Sequence, residues 1–399
     1  MHGSVYVLGT MDTKGAEVRF VVDALRQRGV RALAIDVGTR SDATHPADVS
    51  LHEHAALRSL DRGAAVSRMA EVLIPFLVDA CQRGELAGVI GLGGSGGTAL
   101  ITPAMRALPI GIPKIMVSTV ASGNIAPYIG CSDIAMFPSI VDVAGLNAVS
   151  MRILGNAAHA MAGMVDSGPL ETASRPAVGL TMFGVTTPCV DAVRTSLEGR
   201  GMDCLVFHAT GIGGRAMEGL VQSGFIEGLL DLTTTEVADE VVGGVFPAGP
   251  HRFDVLATRS IPCVLSVGAM DMVNFGAMDT VPEAFRSRRL HVHNANVTLM
   301  RTTADENRRC AQWMAPKLAK AAGPIAILLP EGGVSALDAP GKPFYDPDAD
   351  AVLFETLETL LRGVGHIRIE RVPAHINDPV FSQRAVDAFL ALRSQPPRP

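Results

Sequence analysis

Aromatic residues are scarce, with three Tyr and one Trp among 399 residues, and positive charge is outweighed, with Lys and Arg numbering 34 against 40 Asp and Glu for a net charge of −6. Few rings means no stacking platforms for single strands, and no Lys/Arg run is dense enough to make a basic face, so no nucleic-acid partner is expected. Long hydrophobic runs are missing as well. Apolar residues make up 48% of the chain, yet Gly, Pro or a charge interrupts each stretch before it could cross a bilayer, so no membrane partner is expected either. Met1-His2-Gly3-Ser4 runs directly into the first apolar segment, which leaves no space for a signal peptide and makes the cytoplasm the expected compartment. The six cysteines (Cys81, Cys131, Cys189, Cys204, Cys263, Cys310) lack any Cys-x-x-Cys spacing and read as buried reduced thiols. A P-loop ending is absent, and no catalytic-triad order is recognisable, the latter arguing against an esterase.

What is present is a strand–helix alternation that starts twice. Val5–Leu8 reads as a strand, Val18, Val21, Val22 and Leu25 as one helix face, and Ala32–Ile35 as a second strand ending at Asp36. Met69, Leu73, Leu77 and Ala80 continue the helical stripe, and Leu86–Ile90 and Pro113–Val117 are further strands. Buried, non-alternating strands between amphipathic helices specify a mainly parallel, doubly wound α/β sheet. Polar breakers from Asp166 to Pro176 look like a linker with Gly168 as its hinge, after which Ala177–Phe183, a helix with Val190, Val193 and Leu197, and Cys204–Phe207 repeat the opening order. Two domains are therefore expected, residues 1–172 and 173–399. Later strands are expected at Cys263–Val267, Ile325–Leu329 and His366–Glu370, and a fraying end at Pro396–Pro399.

Between Ile90 and Ala99 lie Gly91, Gly93, Gly94, Gly96 and Gly97, with Ser95 and Thr98 among them. Glycines at a strand-to-helix turn let backbone N–H groups approach an anion, and the helix N-terminus adds positive dipole, so this segment is a phosphate-cradle candidate. The two hydroxyls could meet phosphate or its magnesium. Ligands in open α/β sheets sit beyond the carboxyl ends of strands. The other loops there carry Thr10, Asp12, Thr13, Lys14 and Gly15, then Asp36, then Ser118, Thr119, Ser122 and Asn124. Lys14 is expected to neutralise phosphate. Asp12 reads equally as an N-cap or as a metal-shell carboxylate, and Asp36 as a ribose-binding acid or a turn residue.

The second domain offers Gly213, Gly214 and Arg215 after its second strand, and Glu331, Gly332 and Gly333 after the strand at Ile325, as anion or substrate candidates. His208, Glu331 and His375 are candidates for acid–base work. His291 and His293 alternate on a strand but lack a third ligand at a telling spacing, so they read as structural and no metal site is assigned.

Taken together, Gly9-Thr10-Met11-Asp12-Thr13-Lys14-Gly15, the Gly91–Thr98 loop and the segment from Pro330-Glu331-Gly332-Gly333 to Asp346-Pro347 resemble a family. It comprises the uncharacterised bacterial and fungal proteins related to the ATP-binding, replication-inhibiting domain of the tomato mosaic virus resistance protein. The resemblance spans the chain and implies two Rossmann-like domains, a nucleotide site in the first, and a dimer. The plant protein's further barrel domain has no room in this chain, so viral inhibition is not carried over. The glycine loop is also similar to the Gly-Gly-Asp-Gly loop of phosphofructokinase-type and NAD kinases, with Ser95 where those enzymes have Asp. The expectation is an ATP-binding protein with Mg²⁺, its triphosphate held by Thr10–Gly15 and Gly91–Thr98 in a cleft facing the second domain. Alternatives are an enzyme acting on a phosphorylated or acidic metabolite with Arg215, His208 and Glu331, and a non-catalytic nucleotide-sensing partner protein.

Overall fold

A computed structural model describes residues 3–40, 42–51, 57, 60–166 and 175–394. Most of the expected linker, including Gly168, lies outside the described residues, as do Met1-His2 and Pro396–Pro399. Contacts divide the chain into two compact units, Met1–Thr172 and Ala173–Pro399.

The first unit contains β1 (Ser4–Gly9), α1 (Met11–Gln27), β2 (Ala32–Asp36), β3 (Val49–Ser50), α2 (Arg62–Gln82), β4 (Leu86–Gly93), α3 (Ser95–Ala107), β5 (Lys114–Ser118), α4 (Ala126–Ile129), β6 (Ala135–Pro138) and α5 (Ala148–Asp166). Its six strands are parallel, in the order β3-β2-β1-β4-β5-β6. This is the doubly wound Rossmann order, which reverses direction between β1 and β4 and opens a crevice there. Val18, Val21, Val22 and Leu25 of α1 are fully buried against one sheet face, while Met69, Leu73 and Leu77 of α2 cover the other. Each such side chain contributes roughly 1.5–3 kcal/mol of hydrophobic stabilisation. Gly29, at φ +77°, ends the α1 segment as expected. All eight residues of β4 are buried, so the central strand continues three residues past the expected Ile90 and takes in Gly91 and Gly93.

The second unit contains β7 (Ala177–Met182), α6 (Thr187–Glu198), β8 (Asp203–His208), α7 (Ile212–Gln222), β9 (Gly228–Thr233), α8 (Thr235–Val242), α9 (Val255–Thr258), β10 (Cys263–Gly268), β11 (Met272–Phe275), β12 (Leu290–Asn294), β13 (Val297–Arg301), α10 (Ala304–Leu318), β14 (Ile325–Pro330), α11 (Pro347–Leu360), β15 (Ile367–Val372) and α12 (Pro379–Arg393). Its parallel sheet runs β15-β14-β10-β9-β7-β8. A three-stranded antiparallel sheet, β11-β13-β12, accompanies it and had no counterpart in the expected parallel pattern. The two six-stranded sheets confirm the doubly wound α/β class in both units.

None of the cysteines forms a disulfide: Cys189, Cys263 and Cys310 are buried, while Cys81, Cys131 and Cys204 are only partly so. Burial pushes the Cys189 and Cys310 thiols up to about 12 and moves Cys263 the same way. No helix among the described residues is long and apolar enough to cross a membrane.

Candidate functional site

At the carboxyl ends of β1 and β4 lies a cavity of about 430 Å³, lined by Thr10, Asp12, Thr13 and Lys14 from one side and Gly94, Ser95, Gly96 and Gly97 from the other. Two helix N-termini, those of α1 and α3, open onto it, so both dipoles present positive ends to the same space. In α1 the N–H groups of Met11, Thr13 and Lys14 are already taken, the first by Asp36 Oδ1 and the other two by the Thr10 carbonyl. The strand-to-helix reversal at Gly94 produces this arrangement. Its φ of −81° and ψ of −161° let Thr98 N–H and Oγ1 both bond back to the Gly94 carbonyl, at 2.9 and 2.8 Å, starting α3.

Four of the five glycines divide into two kinds, and at the fifth, Gly97, a Cβ would stand 3.4 Å from the Leu92 carbonyl oxygen. A Cβ on Gly91 would stand 2.7 Å from Met116 Sδ, and one on Gly93 would stand 2.9 Å from Gly97 Cα, so these two serve strand–helix packing. At Gly94 and Gly96 the nearest atoms, Thr119 Oγ1 and Arg62 Nη2, are 3.5 Å away, an ordinary contact. Packing explains Gly91 and Gly93 and leaves Gly94 and Gly96 facing the cavity.

The charged residues depart from expectation. Lys14 lines the cavity but its Nζ donates to the Val143 carbonyl, so it anchors the loop after β6. Two arginines that no motif pointed to, Arg40 after β2 and Arg62 at the start of α2, line the cavity and make no hydrogen bond or ion pair among the described residues. Asp12 lies inside the first turn of α1, not at its cap, which is Thr10. It accepts from Thr13 Oγ1 at 3.3 Å. Asp142, also without a partner among the described residues, completes the charged rim.

Several expected ligand residues have structural roles. Asp36 is fully buried and accepts from the N–H groups of Met11 (3.1 Å) and Gly38 (2.7 Å), which closes the loop and leaves it no approach to a ribose. Thr98 and Ser118 are buried and bonded to each other at 2.6 Å. Gly15 is buried in α1, where a Cβ would meet Thr44 Oγ1 at 2.7 Å. Asn124 accepts from Ala126 N–H at 3.2 Å to start α4. Thr119 and Ser122 face a second cavity, of about 450 Å³, at the ends of β5 and β6.

In the second unit the glycine turns are packing devices. A Cβ on Gly213 would stand 1.8 Å from the His208 carbonyl oxygen, and one on Gly214 would stand 1.9 Å from Glu236 Oε1. They close over Arg252, which is buried and paired with Glu218, Asp231 and Glu236 at 2.5–2.6 Å. Arg215 donates to the Gly211 carbonyl at 2.9 Å. A Cβ on Gly332 would meet His375 N at 2.5 Å, and Gly333, at φ +121°, lies against the Asp338 carbonyl. Both ring nitrogens of His375 are engaged, Nδ1 accepting from Asn377 N–H at 3.1 Å and Nε2 donating to Ser335 O at 2.8 Å. His208 ends the edge strand β8 and Glu331 follows β14, four strand spacings or about 19 Å away. The structure therefore does not bring these two acid–base candidates together. His291 packs edge-on against Phe344, and no cluster of metal-ligating side chains occurs among the described residues.

Family models of the uncharacterised protein family UPF0261 match the chain twice, the N-terminal domain over residues 3–169 and the C-terminal domain over residues 175–393. A UPF0261 protein of Rhizobium meliloti is 51% identical over 397 residues, covering 96% of this chain and 98% of its own length. In Solanum lycopersicum, the ToMV resistance protein Tm-1 and the ToMV susceptible protein tm-1 are each 48% identical over 419 residues, covering 97% of this chain and 55% of theirs. Among solved structures, a UDP-N-acetylglucosamine 2-epimerase of Rickettsia bellii matches at 8% identity and a TM-score of 0.24, covering 66% of this chain and 78% of that one, a likeness too slight to carry an argument.

Proposed function

The chain belongs to UPF0261, a family whose description assigns no reaction, and we propose that it binds a nucleotide, ATP with Mg²⁺, in the crevice of its N-terminal unit. The observation that carries this reading is the pair Gly94 and Gly96, glycines that packing does not require, at the N-terminus of α3 with the unpaired Arg62 beside them. Backbone N–H groups of Ser95 and Gly96 and the guanidinium groups of Arg40 and Arg62 would receive phosphate oxygens. Asp12, with the hydroxyl of Thr13 or Ser95, fits a magnesium ion that takes its remaining ligands from phosphate and water. Calorimetry with Mg-ATP, Mg-ADP, adenosine and inorganic phosphate tests the proposal. Binding that rises with phosphate number supports it, and equal affinity for adenosine and ATP overturns it. Preference for a non-nucleotide phosphate would favour the metabolite reading. The resistance named in the tomato protein is not carried to this chain, because the resistant and susceptible forms match it equally.

A further inference from the structure

Thr119 and Asp142 line both the nucleotide cavity and the second cavity at the ends of β5 and β6, so the two spaces adjoin at a free hydroxyl and a free carboxylate. Crevices of this strand order place the ribose toward β2 and the phosphates at the switch point, so an ATP laid the same way extends from β2 toward the shared Thr119 and Asp142. The terminal phosphate of a bound ATP would therefore be directed at the second cavity, with Asp142 at its threshold. Building on the nucleotide reading, we propose that the second cavity binds a neutral, hydroxyl-bearing small molecule such as a polyol or sugar. The protein transfers the γ-phosphoryl group to that molecule, with Asp142 as general base.

The lining sets the substrate class. Ser122 and Thr119 offer hydroxyls, Ile140 and Val141 offer apolar surface, and Asp142 supplies the one charge. Among the described residues no Lys or Arg lines this cavity, so an anionic acceptor would meet an unfavourable carboxylate with no compensating cation there. Its volume, about 450 Å³, is within the range of small-molecule sites. Asp142 is held in place by its neighbours. Lys14 grips the Val143 carbonyl, and the buried Glu17 accepts from Gly145 N–H at 2.6 Å, tying this loop to α1. In the step itself the acceptor oxygen forms a bond to γ-phosphorus, the bond from γ-phosphorus to the β,γ-bridging oxygen breaks, and ADP departs. The hydroxyl proton passes to the Asp142 carboxylate and then to water. The carboxylate missing at Ser95 in the glycine loop is supplied from a different strand end.

The test incubates the full chain with Mg-ATP and, one at a time, glycerol, D-ribose, D-glucose and the anionic D-glycerate. Phosphorus NMR reads phosphate monoesters, and a coupled assay reads ADP. The expected result is a monoester formed one-for-one with ADP from a neutral acceptor, a rate at least about 10²-fold lower in Asp142→Asn, and unchanged ATP affinity but no transfer in folded Ser122→Trp. A chain that binds ATP by calorimetry yet forms no monoester with any neutral acceptor, or transfers only to D-glycerate, overturns the inference, as does Asp142→Asn working at the parental rate. Absence of ATP binding in the calorimeter overturns the nucleotide reading instead.

Discussion

A side chain on Gly94 or Gly96 would meet its nearest protein neighbour at 3.5 Å, whereas one on Gly93 would meet Gly97 Cα at 2.9 Å. Valine at 94 or 96 is therefore expected to leave the circular dichroism spectrum and melting temperature near those of the parent while abolishing ATP binding. Gly93→Val should lower stability by about 1–3 kcal/mol through overpacking, measurable by urea titration. Arg62→Ala should weaken ATP by about 1.5–3 kcal/mol and leave adenosine unaffected, as loss of a charge-assisted hydrogen bond requires. Equal losses for both ligands would place Arg62 away from the phosphates. The glycine density marked this turn as a phosphate-cradle candidate in the sequence, but not which glycines face the cavity, because a packing glycine and a cavity-facing glycine differ only in what stands opposite. Arg62 was not legible at all, since it reaches the loop from the start of a helix some thirty residues upstream. Lys14 carried the right charge and the right position, and its partner Val143 was invisible until the loop after β6 was in place.

Among elements, β9, β11 and β13 were hidden by their own polar residues, whereas the strand carrying His291 and His293 was legible as β12. Asp231 interrupts the apolar run of β9, and Asp271 and Asn274 do the same around β11; their three-dimensional neighbours, Arg252 and Thr181 for Asp231, Ser335 for Asp271 and Asp239 for Asn274, make those positions tolerable in a core. Asp271 shows what this costs. It is fully buried, Oδ2 accepts from Ser335 Oγ at 2.8 Å, and Oδ1 has no partner among the described residues. Burial pushes its carboxyl up to about 7, with Arg301 opposing and Asp338 reinforcing the shift. A folded value above the unfolded value of about 3.9 means the stabilising contribution is complete below that pH and is lost as pH rises to about 7. Asp271→Asn keeps an acceptor for Ser335 and cannot ionise, so it should raise the melting temperature relative to the parent more at pH 8 than at pH 4. A difference independent of pH would show that folding leaves the Asp271 carboxyl at its unfolded value.

At the scale of the whole molecule, the hydrophobic clusters keep to their own units. Those around β1, β4 and α1 draw only on residues below 166, and those around β7, β10 and β14 only on residues above 177. Fragment 1–172 should therefore fold by itself and bind Mg-ATP as the full chain does, as calorimetry would read. Weaker binding by the folded fragment would show that the second unit contributes to the site. The strand–helix alternation made both doubly wound sheets legible, because buried parallel strands and amphipathic helices write strong periodicities.

The placement of the thiols gives the second unit a reporter of its own opening. Cys189, Cys263 and Cys310 are buried there with their ionisation suppressed, while the two cysteines of the first unit are partly exposed. A thiol-specific disulfide reagent should thus consume the chain's cysteines in a fast group and a slow group, the slow group reacting only as often as the second unit unfolds. If adding nucleotide to the native chain changed that slow rate, it would register communication between the units with no label attached.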